Sequence, residues 1–304
     1  MIGYLYMLTA AFLWGLIGPV SRLAFAHGLT PMEVAFWRAV FGGVLFGAHA
    51  LLIGRIRIAR RDLPIVLGFG LVGVALFYAS FQFAVQAGGG AMAAVLLYTA
   101  PAWVALLSWI FIREPMGAHK LAALLLTLLG VAGVSLQGGE VRIHPAGIIW
   151  GLVSGFTYAL YYLFGKIYLQ RYETPTLFAY AMPVGALSLL PFTPLHRPGP
   201  VAWGAVAFLT ICSTYLAYLI YYAGLRRLEA TRAAIVATLE PVVAMVTSYL
   251  IWGERFGPLG DLGAALVILG VIWMVQAPTA RVPTPSAEPT PPPPQPEEPQ
   301  GEGR

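Results

Sequence analysis

The sequence predicts an all-α, polytopic membrane protein: ten transmembrane helices arranged as two inverted five-helix repeats. Three observations carry this. Of 304 residues 59% are hydrophobic and 10% charged, with a mean hydropathy of +0.76; a soluble domain carries about a quarter charged residues and needs polar surface to cover its core. Ten apolar stretches are each long enough to cross a hydrocarbon layer of about 30 Å, which takes roughly 17–25 helical residues. The chain also repeats itself: aligned at one constant offset, Pro101 falls on Pro241, Ser108 on Ser248, Glu114 on Glu254, Gly117 on Gly257 and Gly130 on Gly270. A period of about half the chain means two copies of one folding unit, not a solenoid of small repeats.

The spans fall at about 3–25, 32–53, 64–86, 91–112, 119–137, 146–165, 175–193, 201–222, 231–252 and 258–276. The seventh is the hardest to place, because Pro183 interrupts it and Pro191 and Pro194 crowd its end. The first is not expected to be a cleavable signal, since no basic residue precedes it and it exceeds a signal's apolar core. After Gln276 come ten prolines between 278 and 299, an extended and unstructured tail by composition. The expected organisation is a first repeat over 1–140, a second over 141–277 and a proline-rich cytoplasmic tail over 278–304. The single cysteine, Cys212, lies in an apolar run, so no disulfide framework is available.

Lys and Arg set the orientation. With the N-terminus cytoplasmic, the loops on that side hold most of the basic residues, Arg55, Arg57, Arg60, Arg61, Arg226 and Arg227 among them. The opposite loops hold Arg142, Arg197 and Arg255. Five is an odd number of helices, so a second copy enters the membrane the other way up and the charge bias reverses between equivalent loops. The loop after helix 2 carries four arginines and its counterpart after helix 7 carries one, whereas the charge-free QAGGGA turn corresponds to GLRRLEATR. The first helices also correspond, Gly3 with Gly147, Trp14 with Tyr158 and Arg22 with Lys166, as do Tyr78 with Tyr218 and Gln82 with Tyr222. Inverted repeats recur in secondary transporters, where the halves face each other across a midplane site.

The runs YYAGLRRLEATRAAIVATLEPVVAMVTSYLIWGERFGPLG and AGGGAMAAVLLYTAPAWVALLSWIFIREPMG resemble the EamA family of the drug/metabolite transporter superfamily, and the resemblance extends over residues 3–276. It implies ten helices in two inverted halves, both termini inside, and export of amino acids and their derivatives, other metabolites or toxic compounds. It does not specify the substrate.

Glu240 is the first candidate site residue. It lies about ten residues into the ninth span, hence near mid-bilayer at a rise of 1.5 Å per residue. A carboxylate there costs several kcal/mol unless it faces a cavity or a partner. Pro241 beside it frees the carbonyl of Ala237, and Pro101 that of Leu97, polar groups suited to a substrate ammonium or a wet cavity. Two readings stand side by side: Glu240 binds substrate or couples transport to protons, or LEP is a packing and kink motif. The first repeat has Ala100 at this place, so chemistry at Glu240 is one-sided. Arg38, in EVAFWRAVFGG, is the second candidate, with snorkelling toward the interface as the alternative. Tyr218 and Tyr222 share a helix face with Tyr215, and Tyr158 and Tyr161 do the same on helix 6. With Trp14, Tyr78, Gln82 and Tyr98 they are candidates to line a pocket for amphipathic organic molecules, or else belong to the packing of the helices. Arg22 and Lys166 are expected as interfacial anchors or gates. Glu114 and Glu254 are expected to cap helices or pair with Arg113 and Arg255.

A polytopic membrane enzyme is the competing class. The five histidines are scattered near loops without ligand spacing, and no phosphate-binding glycine loop with a lysine appears. Neither catalysis, a metal, a cofactor nor a nucleic-acid partner is expected. The expected partners are a small-molecule substrate and membrane lipid; a homodimer stays open at this point. Strongly anionic substrates would call for several buried cations, and Arg38 alone is deep. Neutral, zwitterionic or cationic metabolites therefore fit better, amino acids or derivatives first and amphiphilic drugs second, in a bacterial inner membrane.

Overall fold

The computed structural model describes residues 1–137 and 143–276; the expected tail over 278–304 and the junction of the two repeats lie outside the described residues. Ten helices are long and apolar enough to cross a membrane: α1 (Ile2–Ala26), α2 (Pro31–Leu52), α3 (Leu63–Gly88), α4 (Gly90–Ile112), α5 (Ala118–Leu136), α6 (Pro145–Tyr168), α7 (Thr174–Phe192), α8 (Pro200–Leu225), α9 (Ala230–Trp252) and α10 (Pro258–Gln276). They coincide with the ten expected spans, and every regular element among the described residues is helical. Backbone groups in lipid find no water to bond, so a chain this apolar satisfies them within helices.

Local chemistry starts and stops these helices. Thr30 and Glu33 form a capping box at α2: the Glu33 N–H donates to the Thr30 hydroxyl at 3.2 Å and the Thr30 N–H to the Glu33 carboxylate at 2.8 Å. Pro31 takes the first helical position, where a missing N–H costs nothing. α7 stays helical from Thr174 to Leu189 through Pro183, then ends in a 3-10 turn over Leu190–Phe192 that contains Pro191. Gly43 of α2 packs on the Pro183 ring, so a neighbouring helix covers the place where proline removes a backbone bond. Large apolar side chains such as Leu250, Phe111 and Leu187 are about 70% exposed on the outside of the bundle. On a soluble protein such a surface would aggregate; here it is the face that lipid solvates.

The helices pair across the two repeats. α5 runs along α10 and α2 along α7, while α3 packs on α6 as α8 packs on α1, and α4 on α6 as α9 on α1. The α5–α10 contact is built on glycine: a Cβ on Gly130 would lie 2.6 Å from the Gly263 carbonyl, and one on Gly263 as close to the Gly130 carbonyl. Without a hydrophobic driving force between helices in lipid, such backbone approach supplies the packing.

Two features interrupt the ladders near mid-depth. α4 breaks at Tyr98–Thr99 into half-helices Gly90–Leu97 and Ala100–Leu107, and α9 breaks at Thr238–Leu239 into Ala230–Ala237 and Glu240–Trp252. Pro101 and Pro241 occupy the first turn of each second half, so proline ends one half-helix and suits the start of the next. Gly155 of α6 packs against the carbonyls of Leu96 and Leu97, and Gly15 of α1 against that of Glu240. α3 and α8 carry π-helical turns at Gly70–Leu76 and Ile211–Leu216, repeat-equivalent positions that re-aim the side chains following them.

Candidate functional site

A cavity of about 680 Å³ lies between the repeats, walled by α1, α2, α3, α4, α5, α6, α8 and α9. Its mouth is formed by Arg22 and Phe25 at the end of α1, Pro31 at the start of α2, Gly90 at the start of α4, and Glu254 and Phe256 beyond α9. It therefore opens on the face opposite the N-terminus.

Sequence candidates from both halves converge on this cavity: Trp14, Arg38, Tyr78, Gln82, Tyr98, Tyr158, Tyr161, Tyr218 and Glu240 all line it. Pro241 lines it as well, whereas Pro101 is buried outside it. Tyr222 is the exception among the aromatic candidates. It is fully buried, its hydroxyl donates to the Tyr161 carbonyl at 3.3 Å, and its ring packs on Phe178 and Tyr218. The shared face of Tyr218 and Tyr222 does hold, but it is turned so that Tyr222 backs the wall.

The walls are edge-on aromatic contacts. Trp14 meets its repeat equivalent Tyr158 at 6.4 Å between ring centroids and Tyr218 at 6.0 Å, and Tyr161 meets Tyr218 at 5.9 Å. Such rings offer apolar area plus hydroxyls and few degrees of freedom to lose. Phe77, which the sequence reading passed over, stacks on Tyr158 at 5.4 Å; it follows the π-helical turn of α3, which alters the face that a regular helix would present.

Two charges stand in the cavity. Arg38 is buried at 6% exposure; its Nε donates to the Thr214 hydroxyl at 3.0 Å and its guanidinium lies 5.8 Å from the Tyr78 ring centroid. Thr214, a second residue missed in the sequence, sits four positions before Tyr218 and would have emerged by extending that tyrosine face backwards. Its own hydroxyl donates to the Leu209 carbonyl at 3.1 Å, so Arg38 is held by a fixed acceptor. Glu240 is the first residue of the second half-helix of α9, where free N–H groups and the helix dipole favour negative charge. Tyr98 and Tyr158 stand beside it. Arg38 and Glu240 are close enough to interact electrostatically, yet no ion pair between them is formed among the described residues. Each charge belongs to one repeat: Glu240 corresponds to Ala100, and Arg38 to the buried apolar Met182. The duplicated scaffold thus holds a site of opposite charges, one from each half.

The face carrying the N-terminus is closed. Glu114, between α4 and α5, accepts from the backbone N–H groups of Ala230 and Thr231 at 3.0 and 3.2 Å, capping α9, and receives Lys120 Nζ at 3.1 Å. Lys120 also meets Glu229 at 3.0 Å, and Arg232 joins Glu229 at 2.7 Å and the Tyr4 hydroxyl at 3.0 Å. Lys166 donates to the Leu228 carbonyl. At the open face Arg22 pairs with Glu254 and lies over the Trp252 ring, whose indole N–H donates to the Pro19 carbonyl at 3.2 Å. The expected pairings of Glu114 with Arg113 and of Glu254 with Arg255 do not form: Arg113 adopts a left-handed backbone, φ 57°, as the chain leaves α4, and partners from other helices take both carboxylates.

Residues 1–136 and 145–276 each match the EamA-like transporter family. The chain belongs to that family. Among its relatives, an uncharacterized transporter of Archaeoglobus fulgidus is 31% identical over 273 residues, 88% of this chain and 96% of the relative. The uncharacterized transporter YwfM of Bacillus subtilis is 27% identical, covering 90% and 94% of the two chains, and the uncharacterized inner membrane transporter YicL of Salmonella typhimurium is 26% identical, covering 89% and 94%. A protein of known crystal structure has the same fold with a TM-score of 0.78 at 19% identity, over 89% of this chain and 95% of that one. The EamA-family chain is therefore a multi-pass membrane protein of transporter type.

Proposed function

We propose that this EamA-family protein is a secondary transporter for a small zwitterionic or cationic metabolite, an amino acid or derivative, exported across an inner membrane by alternating access of two inverted halves. The observation that carries the reading is the pair Arg38 and Glu240, opposite charges facing one aromatic-walled cavity at mid-depth without neutralising each other. A guanidinium held by Thr214 suits a substrate carboxylate. A carboxylate flanked by tyrosines suits an ammonium, or a proton in its place, and transport is driven by a proton gradient or by substrate exchange. The pairing of α3 on α6 with α8 on α1 supports the inverted relation of the halves, and the basic loops support an N-terminus and tail in the cytoplasm. With that orientation the described state is open to the outside. The aromatic lining also favours amphiphilic cations as a second substrate class, a reading that needs Glu240 but not Arg38.

The test is uptake and efflux in reconstituted vesicles, screening amino acids and organic cations with and without a pH gradient. Wild type should move an amino acid with a pH-dependent rate, Glu240→Gln should lose the pH dependence, and Arg38→Ala should abolish amino-acid transport. A Glu240→Gln variant with an unchanged pH profile removes proton coupling. Transport of organic cations alone, unaffected by Arg38→Ala, decides for the second class.

A further inference from the structure

The closed face and the open face are built from repeat-equivalent residues engaged in different contacts. In the alignment of the halves, Glu114 corresponds to Glu254, Lys166 to Arg22, Leu228 to Gly88, and Ala230–Thr231 to Gly90–Ala91. On the closed face Glu114 caps the N-terminus of α9 at Ala230 and Thr231, and Lys166 donates to the Leu228 carbonyl. On the open face Glu254 does not cap the N-terminus of α4. Gly90 lines the cavity mouth instead, no side chain caps α4, and Glu254 is joined to Arg22, with both side chains more than a third exposed. Glu114, by contrast, is 7% exposed. One carboxylate is thus seated on its helix end and its counterpart is unseated.

We infer that Glu254 and Arg22 are a latch for the mouth of the cavity: when the mouth closes, they separate, Glu254 caps α4 at Gly90 and Ala91, and Arg22 turns to the Gly88 carbonyl. The reverse happens at the other face, where Glu114 leaves Ala230 and Thr231 for Lys166. The chemistry is balanced. A carboxylate that leaves a helix N-terminus loses two charge-assisted hydrogen bonds and the helix dipole and gains a basic partner, which limits the free-energy difference between the two states. A two-state element needs such discrete alternative contacts for either to be populated. The two faces differ in one respect that sets the resting state. Lys120, Glu229 and Arg232 reinforce the closed face, while their equivalents Gly260, Gly89 and Met92 bring no charge to the open one. The state described, closed at the N-terminal face and open opposite, is the one this asymmetry favours.

The inference rests on the alternating-access reading, and cross-linking separates the two. In a chain with Cys212→Ala, the pairs Glu114→Cys with Thr231→Cys and Glu254→Cys with Ala91→Cys are treated with a short bis-thiosulfonate. Separately, Tyr98→Cys reports which side of the vesicle a membrane-impermeant maleimide reaches the cavity from. The expected result is ready cross-linking of the 114/231 pair and slower cross-linking of the 254/91 pair. Linking 254 to 91 should abolish labelling of residue 98 from the open face and permit it from the other. If residue 98 is labelled from both sides in turn but the 254/91 pair never links, the latch is wrong and alternating access stands. If residue 98 is reached from one side only under all conditions and 254/91 does not link, both fail. Arg22→Gln, which leaves Glu254 without its open-state partner, should favour closure of the mouth, read as reduced labelling of residue 98 from the open face; unchanged labelling overturns the role of Arg22.

Discussion

Arg38 and Thr214, on helices from different repeats, are joined by a single hydrogen bond of 3.0 Å from the guanidinium Nε to the threonine hydroxyl. The bond fixes the side chain while leaving the outer guanidinium nitrogens free of any other hydrogen-bond partner on the described protein. Thr214 comes from a π-helical turn, so an irregular stretch of α8 positions the deep cation of the cavity.

Thr214→Val removes the acceptor but keeps the shape. A hydrogen bond to a charged group is worth about 1.5–3 kcal/mol when its partner is left buried, so substrate KM should rise by about tenfold or more with expression and fold intact. Arg38→Lys should not restore transport, because an ammonium has no Nε to hold it in place. Transport kinetics in vesicles check both; a Thr214→Val variant with wild-type KM rejects the positioning role.

Gly130→Ala should lower stability by about 1–3 kcal/mol, since the new methyl meets the Gly263 carbonyl and forces α5 and α10 apart. Gly204→Ala is the control. A Cβ there meets nothing within 4 Å, and replacing a helical glycine by alanine should be neutral or stabilise by up to about 1 kcal/mol. Thermal unfolding in detergent compares the two.

Gly253 ends α9 in the left-handed region at φ 70°, and its repeat equivalent Arg113 ends α4 the same way at φ 57°. Gly253→Ala should cost about 1 kcal/mol, and Arg113→Gly should gain a similar amount by relieving the Cβ. Opposite shifts of the melting temperature are the expected observation; equal shifts would show that the turns are not held in this conformation.

Glu33 is fully buried, and its carboxylate accepts from the Thr30 N–H at 2.8 Å and the His196 N–H at 2.7 Å while facing the His196 ring. It therefore ties the start of α2 to the connection between α7 and α8. Glu33→Ala orphans two backbone donors and should destabilise by more than the roughly 1 kcal/mol expected of Thr30→Ala. Limited proteolysis of the connection near His196 should quicken in Glu33→Ala and not in Thr30→Ala.

Sequence alone determined the ten spans, the duplication, and the two charges and several aromatic rings that face the cavity. Lipid imposes helices of one length on any chain this apolar, and a carboxylate such as Glu240 at mid-depth has to face something polar. The repeat alignment then marked Trp14 with Tyr158 and Tyr78 with Tyr218 as counterparts in the two halves. Tertiary structure decided what depends on rotation about a helix axis and on contacts far apart in the chain. The π-helical turn of α3 sets the register of Phe77 behind it, and that of α8 contains Thr214 and precedes Tyr222, so these turns bring Phe77 to the cavity, Thr214 to Arg38 and Tyr222 behind the wall. Which partner Glu114 and Glu254 take is also a matter of three dimensions: each turn offers an adjacent arginine, yet Glu114 is taken by Lys120 and the start of α9, and Glu254 by Arg22 of α1. Periodicity encodes a face; only the packed bundle says what that face meets.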